Sequence, residues 1–183
     1  PESLRRDLAA VAAQLASSCR GVVPVRENAL HVTLRFFGEL GDQAVASLSR
    51  AFDPAAAGLE AFTAAVGGWG QFPPRGCPRV LFTRILRGQE MVRRLAEAYR
   101  AATDEVAGGA EDRPFAAHVT LARNKSARIG EGDGALVRFR RSLEERSTEV
   151  SIDEVHLYRS ILGPRGPRYE ILQVYRLAEE ARE

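Results

Sequence analysis

The four residues His-Val-Thr-Leu occur twice, at 31–34 and again at 118–121, in a chain with three histidines in all. On a strand, side chains alternate between faces. His31 and Thr33 therefore share one face and Val32 and Leu34 the other. The same holds for His118 and Thr120 against Val119 and Leu121. The apolar pairs can bury against a helix, leaving each strand to present one imidazole and one hydroxyl in the same direction. Histidine titrates near neutrality, so one can take a proton while the other gives one. Threonine hydroxyls can donate hydrogen bonds to non-bridging phosphate oxygens as charge develops there. Two imidazoles on either side of a phosphate suit in-line displacement, one activating water and the other protonating the leaving oxygen, with no metal required. A metal site is the weaker reading: there is no H-E-x-x-H or H-x-D pattern and no thiolate at ligand spacing. A nucleophile elbow and a Walker-type GxxxxGK[ST] loop are also absent from the sequence.

The elements that must hold these groups are legible as patterns. Residues 2–17 carry Leu4, Leu8, Val11 and Leu15 at helical spacing. ALHVTLRFF (29–37) alternates and predicts a strand. A second helix is expected over 42–53, capped by Asp42 and ended by Pro54. Strands are expected at 60–72 and 77–86. A third helix is expected at 88–107, with Met91, Leu95, Ala98 and Ala102 on its stripe. GGAEDRP (108–114) reads as a loop and 115–123 as a strand. Residues 124–146, rich in glycine and charge, read as a long surface loop with short structure inside. Strands at 148–160 and 168–177, joined by the LGPRGP turn, close the chain. Several strands follow one another with no helix between, which favours α+β over a doubly wound sheet. The HVTL segments sit about half the chain apart, suggesting two related lobes whose polar faces meet over one cleft.

The chain has 183 residues, a formal net charge of +2, 45% hydrophobic and 27% charged residues. That is an ordinary globular mix with room for a core, and no apolar run long enough for a transmembrane helix. Modest basicity permits a nucleic-acid partner without arguing for one. All basic residues except Lys125 are arginine, which suits bidentate phosphate contact, though codon composition is the favoured explanation of the bias. Cys19 and Cys77 share no metal-ligand or CxxC spacing and read as two reduced thiols of a cytoplasmic protein.

Four blocks in order resemble the 2H phosphoesterase superfamily, named for its two H-x-T motifs, and within it the RNA 2′,3′-cyclic phosphodiesterases, also called 2′-5′ RNA ligases. ENALHVTLRFFGEL (27–40) is similar to the family's N-x-L-H-x-T-L-x-F-L-G-E, with Phe37 for leucine. GWGQFPPRGCPRVLF (68–82) is similar to its Phe-Pro segment and P-R-V-x-W strand, with Phe82 for tryptophan. RPFAAHVTLAR (113–123) is similar to R-P-F-x-P-H-x-T-L-A-R, with Ala117 for proline. VHLYRSILGPRGPRYEIL (155–172) resembles the closing hairpin.

The resemblance implies a single bilobed domain over 1–183, with two pseudo-symmetric lobes of antiparallel sheet and outer helices around a central cleft. It implies opening of a 2′,3′-cyclic phosphate on RNA ends or nucleotides to the 2′-phosphate, without a cofactor, by a monomer. It gives His118 to the water and His31 to the 3′ oxygen, with Thr33 and Thr120 on the phosphate; the motifs themselves are locally equivalent and do not divide these roles. Members usually begin with a strand of R-L-F-x-A-L type before the first helix. Here Pro1 leads straight into that helix, and the strand is expected to be missing.

Secondary candidates are Arg123, at the end of the second block, and Arg35, which has the parity of His31 and Thr33. Each is weighed for phosphate or RNA contact against a surface ion pair or a solvated side chain. Strict alternation places Arg123 opposite His118. Phe72, Phe37 and Tyr169 are candidates for base stacking, against core or rim packing. His156, with no threonine two residues on, reads as incidental. Two other functions stay open: reversible 2′-5′ joining of RNA by the same groups, and a non-catalytic RNA-end-binding module.

Overall fold

Leu8, Val11, Ala12 and Leu15 recur at three- and four-residue spacing, and in the computed structural model they are the buried stripe of the first helix, α1 (Glu2–Ser18). The structure describes residues 1–107, 114–126, 129, 132–163 and 167–179. The expected loop at 108–113 and the tip of the LGPRGP turn, 164–166, lie outside them. The remaining elements run β1 (Val22–Pro24), a 3₁₀ turn (Glu27–Ala29), α2 (Asp42–Ala57), β2 (Phe62–Phe72), β3 (Val80–Arg87), α3 (Gln89–Ala107), β4 (His118–Asn124), α4 (Gly134–Glu144), β5 (Ser147–Ile152), β6 (Glu154–Ile161) and β7 (Arg168–Arg176). The class is α+β, as the order of patterns predicts.

The chain divides into two compact units that interleave along the sequence. The first comprises Pro1–Thr33, Ala64–Arg87 and Ala117–Val150; the second comprises Leu34–Thr63, Gly88–Ala116 and Ser151–Glu183. The sequence halves do not correspond to the units: both H-x-T triplets fall in the first.

In the first unit, α1 packs on β1, β4 and α4. A five-stranded sheet of order β1-β4-β3-β2-β5 turns Leu81, Thr83 and Ile85 of β3 and Val119, Leu121 and Ala122 of β4 inward. Leu136, Phe139 and Leu143 of α4 are buried too. Each fully buried leucine stabilises by roughly 1.5–3 kcal/mol. Three buried polar side chains of the sheet find partners, while the buried Arg140 Nε has none among the described residues. Thr83 Oγ1 donates to the Gly68 carbonyl (2.9 Å), and Asn124 Nδ2 donates to the Pro78 carbonyl (2.9 Å). Gln71, 6% exposed, donates to the carbonyls of Pro73 and Gly76 and accepts from Arg140 Nη2. The Arg140 guanidinium also lies 4.2 Å from the Trp69 ring centroid.

In the second unit, α2 packs on α3 and β7, and β6 pairs with β7 as an antiparallel hairpin. Phe52 meets Tyr99 and Tyr175 edge-on at 4.9 and 5.1 Å, in the geometry aromatic quadrupoles prefer.

Several elements differ from expectation. Residues 29–37 form no continuous strand; the 3₁₀ turn holds 27–29 and a single antiparallel bridge joins Val32 to Val119. The cause is topological. β1 occupies the Ala122–Asn124 end of that edge of β4, so the later segment finds only the remaining end. Helix α2 runs through Pro54 to Ala57, because proline removes one helical hydrogen bond while Ala56 beyond it is buried. Residues 134–144 are an 11-residue helix, with Asp133 Oδ1 accepting from Ala135 N at 2.8 Å. The expected 148–160 strand is two strands broken at Asp153.

Candidate active site

His31 lies two residues past the end of the 3₁₀ turn, and its ring is oriented by that turn. Nδ1 lies 2.7 Å from the Ala29 carbonyl, which can only accept, so Nδ1 carries the proton. Nε2 is then an acceptor, and the Thr33 hydroxyl, 3.1 Å away, donates to it. Burial holds the His31 pKa below the ordinary histidine value. The Ala29 carbonyl opposes that shift, and the positive charges that His118 and Arg5 can bring near it add to the lowering.

The bridge between Val32 and Val119 fixes how the two triplets meet. In an antiparallel register the flanking residues oppose each other in turn, so His31 faces Thr120 and Thr33 faces His118. All four polar side chains then project from one face. Directly opposed Cβ atoms lie about 4.5–5.5 Å apart and diagonal ones about 7–8 Å. His31 and His118 are a diagonal pair across this bridge.

Aromatic walls hold His118. Its ring centroid is 5.3 Å from that of Phe72, edge-on, and 4.8 Å from that of Phe82. The two phenyl rings are 4.6 Å apart. The register explains the cluster. Phe82 is the partner of Thr120 on β4 and of Gly70 on β2, and Phe72 is the partner of Val80. Gly70 has no side chain, and the Phe82 ring leans over the space this leaves. Neither Phe82 nor Gly70 is a candidate from sequence alone. The signal available was the Gly-Trp-Gly spacing opposite a large aromatic, which is meaningful only once the hairpin register is known.

β4 also contains an irregularity that moves Arg123. Phe82 pairs with Thr120, but the next β3 residue back, Leu81, pairs with Ala122. One residue of β4 is therefore extra, a β-bulge that resets the alternation. Burial follows: Leu121 and Ala122 are consecutive and both fully buried, and Arg123 is exposed. Arg123 thus shares the face of His118 and Thr120, where strict alternation had put it opposite.

The other candidates divide. Phe72 stands beside His118 and is 37% exposed. Arg35 belongs to the second unit, and its side chain is 5% exposed. Its Nη1 donates to the Arg100 carbonyl (2.8 Å), Thr103 Oγ1 (2.9 Å) and Asp104 Oδ1 (2.6 Å). That corrects the RNA-contact reading: the guanidinium ties the 34–37 segment to α3. Phe37 and Tyr169 also belong to the second unit. Phe37 packs at 6.0 Å from Phe52 under the Arg35 guanidinium, and Tyr169 packs at 5.9 Å from Tyr158. His156 is engaged by Tyr158 and Glu154. Cys19 is buried and Cys77 half-buried, and neither forms a disulfide. Among the described residues no helix is long and apolar enough to cross a membrane.

The sequence matches the LigT-like phosphoesterase family over residues 1–82 and 87–169. A relative from Thermus thermophilus, named RNA 2′,3′-cyclic phosphodiesterase, is 35% identical, the match covering 88% of this chain and 78% of that one. A relative of the same name from Aeropyrum pernix is 32% identical, covering 86% and 88%. Among solved structures, TT0787 of Thermus thermophilus superposes with a TM-score of 0.80 at 30% identity, over 98% of this chain and 94% of that one. With the family matched along nearly the whole chain and the fold shared with a solved relative, this protein belongs to the LigT-like, or 2H, phosphoesterases.

Proposed function

We propose that His31 and His118 are the acid–base pair with which this enzyme hydrolyses an RNA or nucleotide 2′,3′-cyclic phosphate. The single observation that carries the reading is the Val32–Val119 bridge, which brings two distant triplets onto one face with their imidazoles on a diagonal. The chain is a phosphoric diester hydrolase of the RNA 2′,3′-cyclic phosphodiesterase type. In the step we assign, water attacks phosphorus in line with the 3′ oxygen. His118 takes the water's proton, the P–O3′ bond breaks, and His31 protonates the departing oxygen to leave a 2′-phosphate. Thr33 and Thr120 donate to the non-bridging oxygens, where negative charge grows. Arg123, brought to the same face by the bulge, neutralises that charge.

Burial favours neutral His31, whereas the acid must start protonated. The bound phosphate anion supplies the compensation, because a negative charge alongside an imidazole favours its charged form. Phe72, partly exposed at the rim of the His118 ring, is placed to stack on the terminal base. As parts of the same reading, the protein acts as a monomer in the cytoplasm, where its two unpaired thiols fit a reducing compartment. Light scattering and cell fractionation test those two points.

The decisive experiment incubates the protein with a 2′,3′-cyclic nucleotide in EDTA and resolves the product isomers. The 2′-monophosphate is expected. His31→Ala and His118→Ala are each expected to lose on the order of 10²–10⁴-fold in rate. A near wild-type rate in either variant would remove that histidine from the chemistry.

A further inference from the structure

Arg84 takes no part in the acid–base step, yet β3 pairs it with His118 as direct Cα partners. Partners across an antiparallel pair point to the same face, so Arg84 stands on the face of His118 and Phe82. Its side chain lies over β2. A Cβ added at Gly68 would come within 2.9 Å of Arg84 Nη2 and 3.0 Å of Nε, and Gly68 has φ +62°. The positive φ is what calls for glycine there, and the bare Cα lets the Arg84 guanidinium come close to β2. With strands spaced about 4.7–4.9 Å apart, the guanidinium above β2 is roughly 10 Å from the axis of β4. Its ionic partner is Glu144 Oε1 at 3.7 Å, with both side chains 48% exposed. Such a pair is weak and readily exchanged.

A nucleotide bearing a cyclic phosphate on its 2′ and 3′ oxygens continues into the RNA strand only through its 5′ oxygen. The strand's next phosphate therefore lies one nucleoside away from the reacting one. We infer that Arg84 is a subsite for that phosphodiester, binding the RNA strand on the 5′ side of the nucleotide whose cyclic phosphate lies between His31 and His118. The inference rests on the two-histidine reading for the position of the cyclic end. The planar guanidinium offers paired N–H donors that match phosphate oxygens. Phosphate displaces Glu144, and the enzyme favours RNA ends over free cyclic nucleotides.

The test measures binding, so it does not depend on turnover. A fluorescent oligoribonucleotide ending in a 2′,3′-cyclic phosphate is titrated with wild type, Arg84→Gln and Glu144→Gln over a range of salt, with a 2′,3′-cyclic mononucleotide as competitor. Arg84→Gln should weaken oligonucleotide binding about tenfold. It should also make the slope of log K against log salt shallower by about 0.7, the value of one single-strand phosphate contact. The oligonucleotide-to-mononucleotide preference falls with it, and Glu144→Gln moves affinity the other way. Arg84→Gln that keeps the wild-type salt slope and affinity, or that lowers only the melting temperature, overturns the subsite. If wild type fails to turn over the cyclic mononucleotide while Arg84→Gln still weakens the oligonucleotide, the two-histidine reading falls and the phosphodiester contact stands.

Discussion

Gly70→Ala adds one methyl group on the solvent side of β2, and the structure says where it goes. The new Cβ would overlap the edge of the Phe82 ring, within 3.0 Å of Cδ2 and closer to Cε2 and Cζ. Phe82 is only 8% exposed and is packed against Phe72 and His118, so the ring cannot swing aside without displacing one of them. Overpacking of this kind costs about 1–3 kcal/mol. In a chain of this size that corresponds to roughly 2–12 °C in melting temperature. The kinetic consequence should be larger than the thermodynamic one. His118 shares the strained cluster, and a shift of about 1 Å in a reacting group can cost on the order of 10²-fold in rate. The assay pairs thermal denaturation with kcat and KM for a 2′,3′-cyclic nucleotide. The double variant Gly70→Ala/Phe82→Leu, which removes the overlapping ring atoms, should recover part of the stability. A Gly70→Ala protein that melts and turns over as wild type would show that the aromatic walls do not set the position of His118.

Arg35→Gln should lower stability by about 2–3 kcal/mol, because it strips charge-assisted bonds from the Arg100 carbonyl and the buried Thr103 hydroxyl. Urea denaturation measures this, and unchanged stability with weakened RNA binding would reinstate Arg35 as an RNA contact. His31 gives a pH signature. Its folded pKa lies below the ordinary value of 6.5, so the folded state resists protonation more than the unfolded state does. The associated stability is fully present above about 6.5 and is lost as pH falls through the folded pKa. Wild type should therefore lose more melting temperature than His31→Gln between about pH 7.5 and 5. Parallel curves would mean that burial does not depress this histidine.

The alternation of H-x-T was enough to place four polar groups on common faces, because period two is a property of any extended chain. The partner of a strand is not. Nothing in ALHVTLRFF distinguishes a full ladder from the single bridge at Val32, since the outcome depends on how much of the β4 edge β1 already occupies. Helix α4 was legible in principle. Asp133 caps it, and Leu136, Phe139 and Leu143 follow at helical spacing. Dense glycine and charge at 130–134 outweighed that pattern. The α3 stripe lies one residue further on than expected, on Val92, Leu95, Ala96, Tyr99 and Thr103. Thr103 faces inward because its hydroxyl is satisfied by the Tyr99 carbonyl at 2.6 Å, a bond that composition cannot reveal. The break falls at Asp153, a residue ill suited to a strand, but residues 150–152 before it and 155–158 after it read as one strand pattern.

The bulge at Leu121 shows why a motif and its register carry different information. Read by alternation alone, H-V-T-L-A-R places the arginine on the face that packs against the helices, where an unpaired guanidinium would be costly. One extra residue in β4 lets Leu121 and Ala122 both turn inward and returns Arg123 to the histidine face. In the proposed reaction the same strand supplies the base, a hydroxyl and a cation to a single anion. Three polar residues, His118, Thr120 and Arg123, are set among three that pack, Val119, Leu121 and Ala122. Held to strict alternation with no bulge, the same six residues would turn Arg123 inward, which is why the β-bulge belongs to the proposed site and is not a defect of the sheet.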